Sequence, residues 1–83
     1  MTRFLVEAYT PATTVIADVE ARARRAADQL ARAGTDVHYL RAIFVPRDEL
    51  CLYLIDAASI EVANELFRWS GISPDRIVEA VAE

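Results

Sequence analysis

The chain has 83 residues, a net charge of −4 at pH 7 and 54% hydrophobic residues. A chain of this length predicts one domain with a modest core, and its acidic balance argues against nucleic-acid binding, which needs a basic stripe facing the phosphates. No apolar run approaches the roughly 18 residues of a membrane span, and the first residues lack a signal-peptide pattern. We therefore expect a cytoplasmic protein that has no membrane contact.

The first half of the chain predicts a strand followed by a long helix. Residues 3–9 are rich in β-formers, and the proline that follows ends the strand because it lacks a backbone donor. Apolar residues recur every three or four positions over 15–33, which indicates an amphipathic helix. Thr13 or Thr14 is suited to cap its first turn, and Gly34 is suited to end it.

The second half predicts a hairpin, a second helix and a final strand. These elements are expected over residues 37–45, 50–56, 60–70 and 77–82. Ser59 precedes the second helix as a side-chain cap, and Gly71 follows it as a residue that adopts positive φ without strain. The hairpin turn contains proline and aspartate, which are common turn formers.

The order β-α-β-β-α-β is that of the ferredoxin-like α+β sandwich, so residues 1–83 are predicted to form one such domain. Right-handed crossovers place both helices on one face of a four-stranded antiparallel sheet. A sheet with one wet face alternates apolar and polar residues, whereas these strands carry apolar side chains on both faces. The uncovered face therefore predicts a homodimer; the alternative is a monomer whose open side carries scattered apolar groups.

Polar side chains on the second face suggest a ligand site. Strict alternation places three charged and two aromatic residues on or near it: Glu7, Arg41, Glu79, Tyr9 and Tyr39. Polar groups that converge between apolar walls are typical of a small-molecule site. Arg41 is suited to hold a carboxylate or an enolate, and Glu7 or Glu79 would act as a base if burial raised its pKa. The alternative is an Arg–Glu network that only fixes the dimer register.

The histidine and the cysteine of the chain have simpler interpretations. His38 is the single histidine, so a metal site would need carboxylates beside it or a second His38 from a partner subunit. The alternative is a histidine at a strand edge or an interface. Cys51 cannot form an intrachain disulfide, and no zinc-ligand spacing exists, so we predict a buried small hydrophobe.

Four segments of the sequence carry a family resemblance. They are residues 3–7, residues 37–41, Cys51-Leu52-Tyr53 and the ending Gly71-Ile72-Ser73-Pro74-Asp75-Arg76-Ile77. Through them the chain resembles a family of small, mostly bacterial domains of unknown function related to a nickel-binding protein. The resemblance spans nearly the full length and implies a ferredoxin-like fold, a dimer and nickel. His38 falls at a matching strand position, and Arg41 stands where a second histidine can occur.

Together these features predict a small-ligand or weak divalent-metal binding accessory protein that acts as a homodimer. The alternative is a cofactor-free enzyme of the dimeric α/β-barrel type, with a glutamate base and Arg41 as the electrostatic stabiliser at the sheet face. A purely structural dimer is a third possibility. The residues themselves indicate no cofactor, and nickel follows only from the resemblance.

Overall fold

A computed structural model describes residues 1–81 as four strands, two α-helices and one 3₁₀ turn. In chain order they are β1 (Thr2–Tyr9), α1 (Ile16–Arg32), β2 (Val37–Val45), the 3₁₀ turn (Pro46–Asp48), β3 (Leu50–Ala57), α2 (Ile60–Ser70) and β4 (Arg76–Glu79). The strands form an antiparallel sheet in the order β2-β3-β1-β4. The predicted ferredoxin-like α+β fold is confirmed. Neither α1 nor α2 is long and apolar enough to cross a membrane.

Helix α2 begins and ends at the predicted residues. The Oγ of Ser59 accepts a hydrogen bond from the backbone N–H of Val62 at 3.3 Å, which satisfies one of the free donors of the first turn. Gly71 follows the helix with φ 72°. At this φ an L side chain is strained, so glycine is the residue that ends the helix without cost.

Helix α1 begins differently from the prediction. Its N-cap is Val15, which has no side-chain acceptor, so the predicted threonine cap is wrong. The backbone carbonyl of Val15 accepts from the N–H of Asp18 at 3.1 Å instead. The end of the helix agrees with the prediction, because Gly34 adopts φ 90° just beyond it.

Strand β4 is shorter than predicted and begins one residue earlier. It spans Arg76–Glu79, and the N–H of Ala80 still donates to the carbonyl of Arg3 at 3.0 Å. Position 82, the predicted end of the strand, lies outside the described residues. The earlier start matters for the site because it brings Arg76 into the sheet.

The core lies between the sheet and the two helices. Phe67 of α2 and Tyr53 of β3 meet edge to face with ring centroids 5.3 Å apart, and both are 0% exposed. Cys51 is buried and unpaired as predicted, and desolvation raises the pKa of its thiol. Other buried strand residues are Phe4, Val6, Ala8, Val37, Ile55 and Ala57, and buried helix residues include Ala26, Leu30, Ala63 and Leu66.

A β-bulge in β2 changes which of its side chains share a face. Tyr39 pairs with Ile55 and Arg41 pairs with Leu54, so Leu40 is an extra residue without a partner on β3. One extra residue reverses the alternation beyond it. His38 and Arg41 therefore lie on the same face, away from the helices, whereas strict alternation had predicted opposite faces for them.

Candidate functional site

The sheet face opposite the helices, here called the open face, is built from four rows of side chains that run across the strands. In the pairing register these rows are His38–Asp56–Arg3, Arg41–Leu54–Leu5–Val78, Ile43–Leu52–Glu7–Arg76 and Val45–Leu50–Tyr9. Leucines of β1 and β3 occupy the middle of the face, and charged groups lie towards its ends and edges. The open face therefore combines an apolar centre with a polar surround.

A shallow depression of about 140 Å³ lies at the apolar centre. Its lining consists of one arginine and four aliphatic residues, Arg41, Leu5, Ile43, Leu52 and Leu54. Ile43 is 54% exposed in the single chain, which leaves a large aliphatic surface in water. The lining suits a molecule that buries hydrocarbon and presents one polar group.

Arg41 is the polar group of this depression. Its side chain is exposed, and the four salt bridges found within residues 1–81 do not include it. A guanidinium offers paired donors that match the two oxygens of a carboxylate. Arg41 lies on the open face as predicted, where it provides the positive charge beside the leucines.

Glu7 also lies on the open face, in the next row. Its Oε2 accepts a hydrogen bond from Nη1 of Arg76 at 2.9 Å, and the two residues are direct partners across β1 and β4. Arg76 was not predicted as a residue of this face, because the last strand was expected to begin at Ile77. The signal was present, since Arg76 stands two positions before Val78 and therefore on the same face.

Two predicted site residues lie on the helix side instead, so these placements are wrong. Glu79 pairs with Phe4, whose side chain is in the core, and it is exposed at the sheet edge. Tyr39 packs towards α1, where its hydroxyl donates to Oε2 of Glu20 at 2.7 Å and the guanidinium of Arg24 lies 4.7 Å from the ring centroid. Burial, followed by this hydrogen bond, raises the pKa of Tyr39.

Tyr9 lies at the end of the open face, two rows away from Arg41. Its side chain is 63% exposed, and its backbone N–H donates to Oδ2 of Asp75. Tyr9 is also among the residues that line a cavity at the end of β1. The structure therefore separates Tyr9 from the depression that contains Arg41.

The opposite end of the open face carries an ion pair beside His38. The guanidinium of Arg3 donates two hydrogen bonds to Asp56, at 2.8 and 3.0 Å. This contact holds the pKa of the Asp56 carboxyl below its usual value. His38 is exposed and pairs across β2 and β3 with the same aspartate.

Metal binding needs more ligand atoms than the His38 end of the open face provides. Within residues 1–81, no group of three or more His, Cys, Asp or Glu side chains is placed to hold a metal ion. A nickel site wants several nitrogen or oxygen ligands, and both Asp56 oxygens already accept from Arg3. One subunit does not fit nickel, and a metal role for His38 shared between two subunits stays a prediction.

We expect the Arg3–Asp56 pair to contribute stability that depends on pH. Because the folded-state pKa of Asp56 is lowered, the contribution is present above the unfolded-state pKa and is lost as pH falls through the folded-state pKa. Arg3→Gln should cause a small loss of unfolding free energy at pH 7, as partly exposed pairs do, and the loss should shrink towards pH 2. Urea unfolding at several pH values measures it; a loss independent of pH contradicts the assignment.

Comparisons with known proteins support the fold. No family model matches the chain, and no curated protein matches it. Among solved structures, it is similar to SCO4226 from Streptomyces coelicolor A3(2), with a TM-score of 0.74, 21% sequence identity and 98% of each chain covered. At this identity the likeness shows the fold and not a function. The resemblance to domains related to a nickel-binding protein therefore stays a prediction.

Proposed function

We propose that the chain is a homodimeric binding protein that holds a small apolar molecule with an anionic group on the open face. The observation that carries this proposal is the depression at the centre of the face, where a guanidinium that forms no salt bridge within residues 1–81 lies beside three leucines. The aliphatic walls would bury the hydrocarbon part of the ligand. Arg41 would bind its carboxylate through two parallel hydrogen bonds.

A second copy of the chain is the proposed cover of the open face. The four strands have 8, 9, 8 and 4 residues, and at about 4.8 Å between strands and about 3.3 Å per residue they give a face of about 460 Å². Two such faces come close to the roughly 1,000 Å² that a specific interface needs. Leu5, Leu52 and Leu54 are only half-buried in one chain, and a second face would complete their burial.

The charges of the open face are compatible with a two-fold axis. Two pairs on the face are internally neutralised: Arg3–Asp56 lies at one end, and Glu7–Arg76 lies in the row next to the other end. A symmetric partner would therefore meet both signs of charge rather than a field of one sign. The unneutralised charge of the centre is Arg41, and an anionic ligand enclosed between two subunits would compensate it.

We place this function in the cytoplasm. Cys51 is buried and has no partner for a disulfide, which is the usual state of a lone cysteine in a reducing compartment.

The small size of the domain also favours formation of the dimer, because a core of this size gains stability when a partner covers apolar surface.

Calorimetry with octanoate tests the ligand site. Octanoate should bind the wild-type chain, and Arg41→Gln should weaken binding by about tenfold or more, because a charge-assisted contact contributes roughly 1.5–3 kcal/mol. Octanamide has the same hydrocarbon tail as octanoate but no charge. It should therefore bind the wild-type protein no more tightly than octanoate binds the Arg41→Gln variant.

Arg32→Gln is the matched control for this experiment. Arg32 is an exposed arginine in the last turn of α1, on the other side of the sheet, so its loss should leave octanoate affinity unchanged. Equal affinity in Arg41→Gln and the wild type would contradict the proposed site. If the wild-type dimer released or absorbed no heat on titration with octanoate, the result would contradict the ligand site and support a purely structural dimer.

A further inference from the structure

A second cavity, here called the Arg22 cavity, lies on the helix side of the sheet where β1 ends. Its volume is about 210 Å³, and its polar lining includes Thr10, Thr14, Arg22, Tyr53 and Ser73. This is the volume of about seven molecules of liquid water at about 30 Å³ each. The cavity therefore suits a compact ligand rather than a drug-sized one.

A buried tyrosine of the core forms part of the wall of this cavity. Tyr53 is 0% exposed and lines the cavity from the middle of β3. Thr10 and Arg22 line the same cavity. Since the ring packs in the core against Phe67, Tyr53 is a fixed part of this wall.

Arg22 supplies the positive charge of the cavity. Its Nη1 lies 3.5 Å from the position that a Cβ on Gly71 would occupy, so the guanidinium packs over the end of α2. The four salt bridges found within residues 1–81 do not include Arg22. A guanidinium at the cavity wall that forms no salt bridge within residues 1–81 has its donors available for an anion.

We propose that the Arg22 cavity binds a compact oxyanion, of the size of inorganic phosphate or a two-carbon hydroxy acid. Arg22 would provide the charge and two parallel donors, and the hydroxyls of Tyr53 and Ser73 would provide further hydrogen bonds. Apolar residues of α1 and the α2–β4 loop, Val19 and Ile72, complete the wall. The site lies on the opposite side of the sheet from the open face, so it does not depend on the ligand proposed there.

Nuclear magnetic resonance of the full chain tests this site. Titration with millimolar phosphate, or separately with glycolate, should shift the backbone amides of Thr10, Gly71 and Ser73, while Leu5 and Leu54 of the open face should not move. Chloride at matched ionic strength controls for screening. If both probes shift the set, the site takes oxyanions in general; if one does, the shape of that probe is preferred. No shift with either probe overturns the proposal.

Variants separate binding from a structural role of the arginine. Arg22→Gln should weaken binding of the effective probe by about tenfold or more, since it removes the charge-assisted contacts, and Tyr53→Phe should weaken it less. Arg25→Gln removes an exposed arginine of the same helix outside the cavity and should leave binding unchanged. A folded Arg22→Gln chain with wild-type shifts, or equal loss in Arg25→Gln, overturns the proposal.

Discussion

Phe67→Ala is expected to lower the free energy of unfolding by about 3–5 kcal/mol. The ring is 0% exposed and packs edge to face against Tyr53 at the centre of the core. Removing it deletes apolar burial and leaves a cavity that the neighbouring sheet cannot close. A chain of this length has a total stability of only about 4–12 kcal/mol at 0.05–0.15 kcal/mol per residue, so the variant should be close to unfolding.

Urea unfolding followed by circular dichroism measures this effect, and Trp69→Ala is its control. Trp69 lies on the same helix but is 48% exposed, and its indole N–H donates to Oε1 of Glu65 at 3.0 Å. Its truncation should cost about 1 kcal/mol or less, because it leaves no buried cavity. Similar losses for the two variants would show that the packing of Phe67 does not dominate the core.

Leu54→Glu is expected to convert the proposed dimer into monomers. Leu54 lies in the middle of the open face, between Arg41 and Leu5 across the strands. In a covered face the new carboxylate would be buried against aliphatic groups, which costs several kcal/mol. The dissociation constant should therefore rise by about a hundredfold or more, since each 1.4 kcal/mol is a factor of ten.

Size-exclusion chromatography with light scattering at low micromolar protein measures the change. The wild-type chain should have the mass of two chains and Leu54→Glu the mass of one, with unchanged circular dichroism. Gln29→Glu, which adds the same charge to the exposed side of α1, should remain a dimer. A wild-type protein with the mass of one chain, or a dimeric Leu54→Glu variant, would contradict the covered face.

Local signals account for most of the fold. Ser59 and Gly71 mark both ends of α2 because a hydroxyl cap and a positive-φ residue act through their own neighbours. The start of α1 has no such signal: the threonines that precede it are available as caps, but the helix begins after Val15, with a backbone contact only. The fold class was predictable because it depends on element order, which tolerates errors at the ends of elements.

The residues of the open face were predictable only in part. Side chains are assigned to a face by alternation along the strand, and one extra residue reverses that assignment for every residue beyond it. Strand β2 is apolar on both sides, so its hydrophobic pattern contains no signal for the bulge at Leu40. Tyr39 was therefore placed with Arg41, although it bonds to Glu20 on α1. Glu79 was misplaced because its side of the sheet depends on its pairing with Phe4, a core residue, and the sequence does not show that pairing.

The Arg22 cavity was not predictable from the sequence. Arg22 lies among charged helix residues that alternate in sign, a pattern typical of a solvated face. Its proximity to Tyr53 and Gly71 arises from the packing of three elements that are far apart in the chain. Such long-range convergence has no periodicity in the sequence, so only the folded chain brings these residues together.

The bulge in β2 also affects how the chain avoids fibrous assembly. Strand β2 is nine residues long and forms one border of the sheet, with β3 as its single neighbour. A long, regular border strand is a template with which the edge strands of further chains can pair side by side and grow into fibrils. The extra residue at Leu40 interrupts the regular spacing of free N–H and C=O groups along that border. The same irregularity that sets the side of Arg41 thus makes this border a poorer template for open-ended polymerisation.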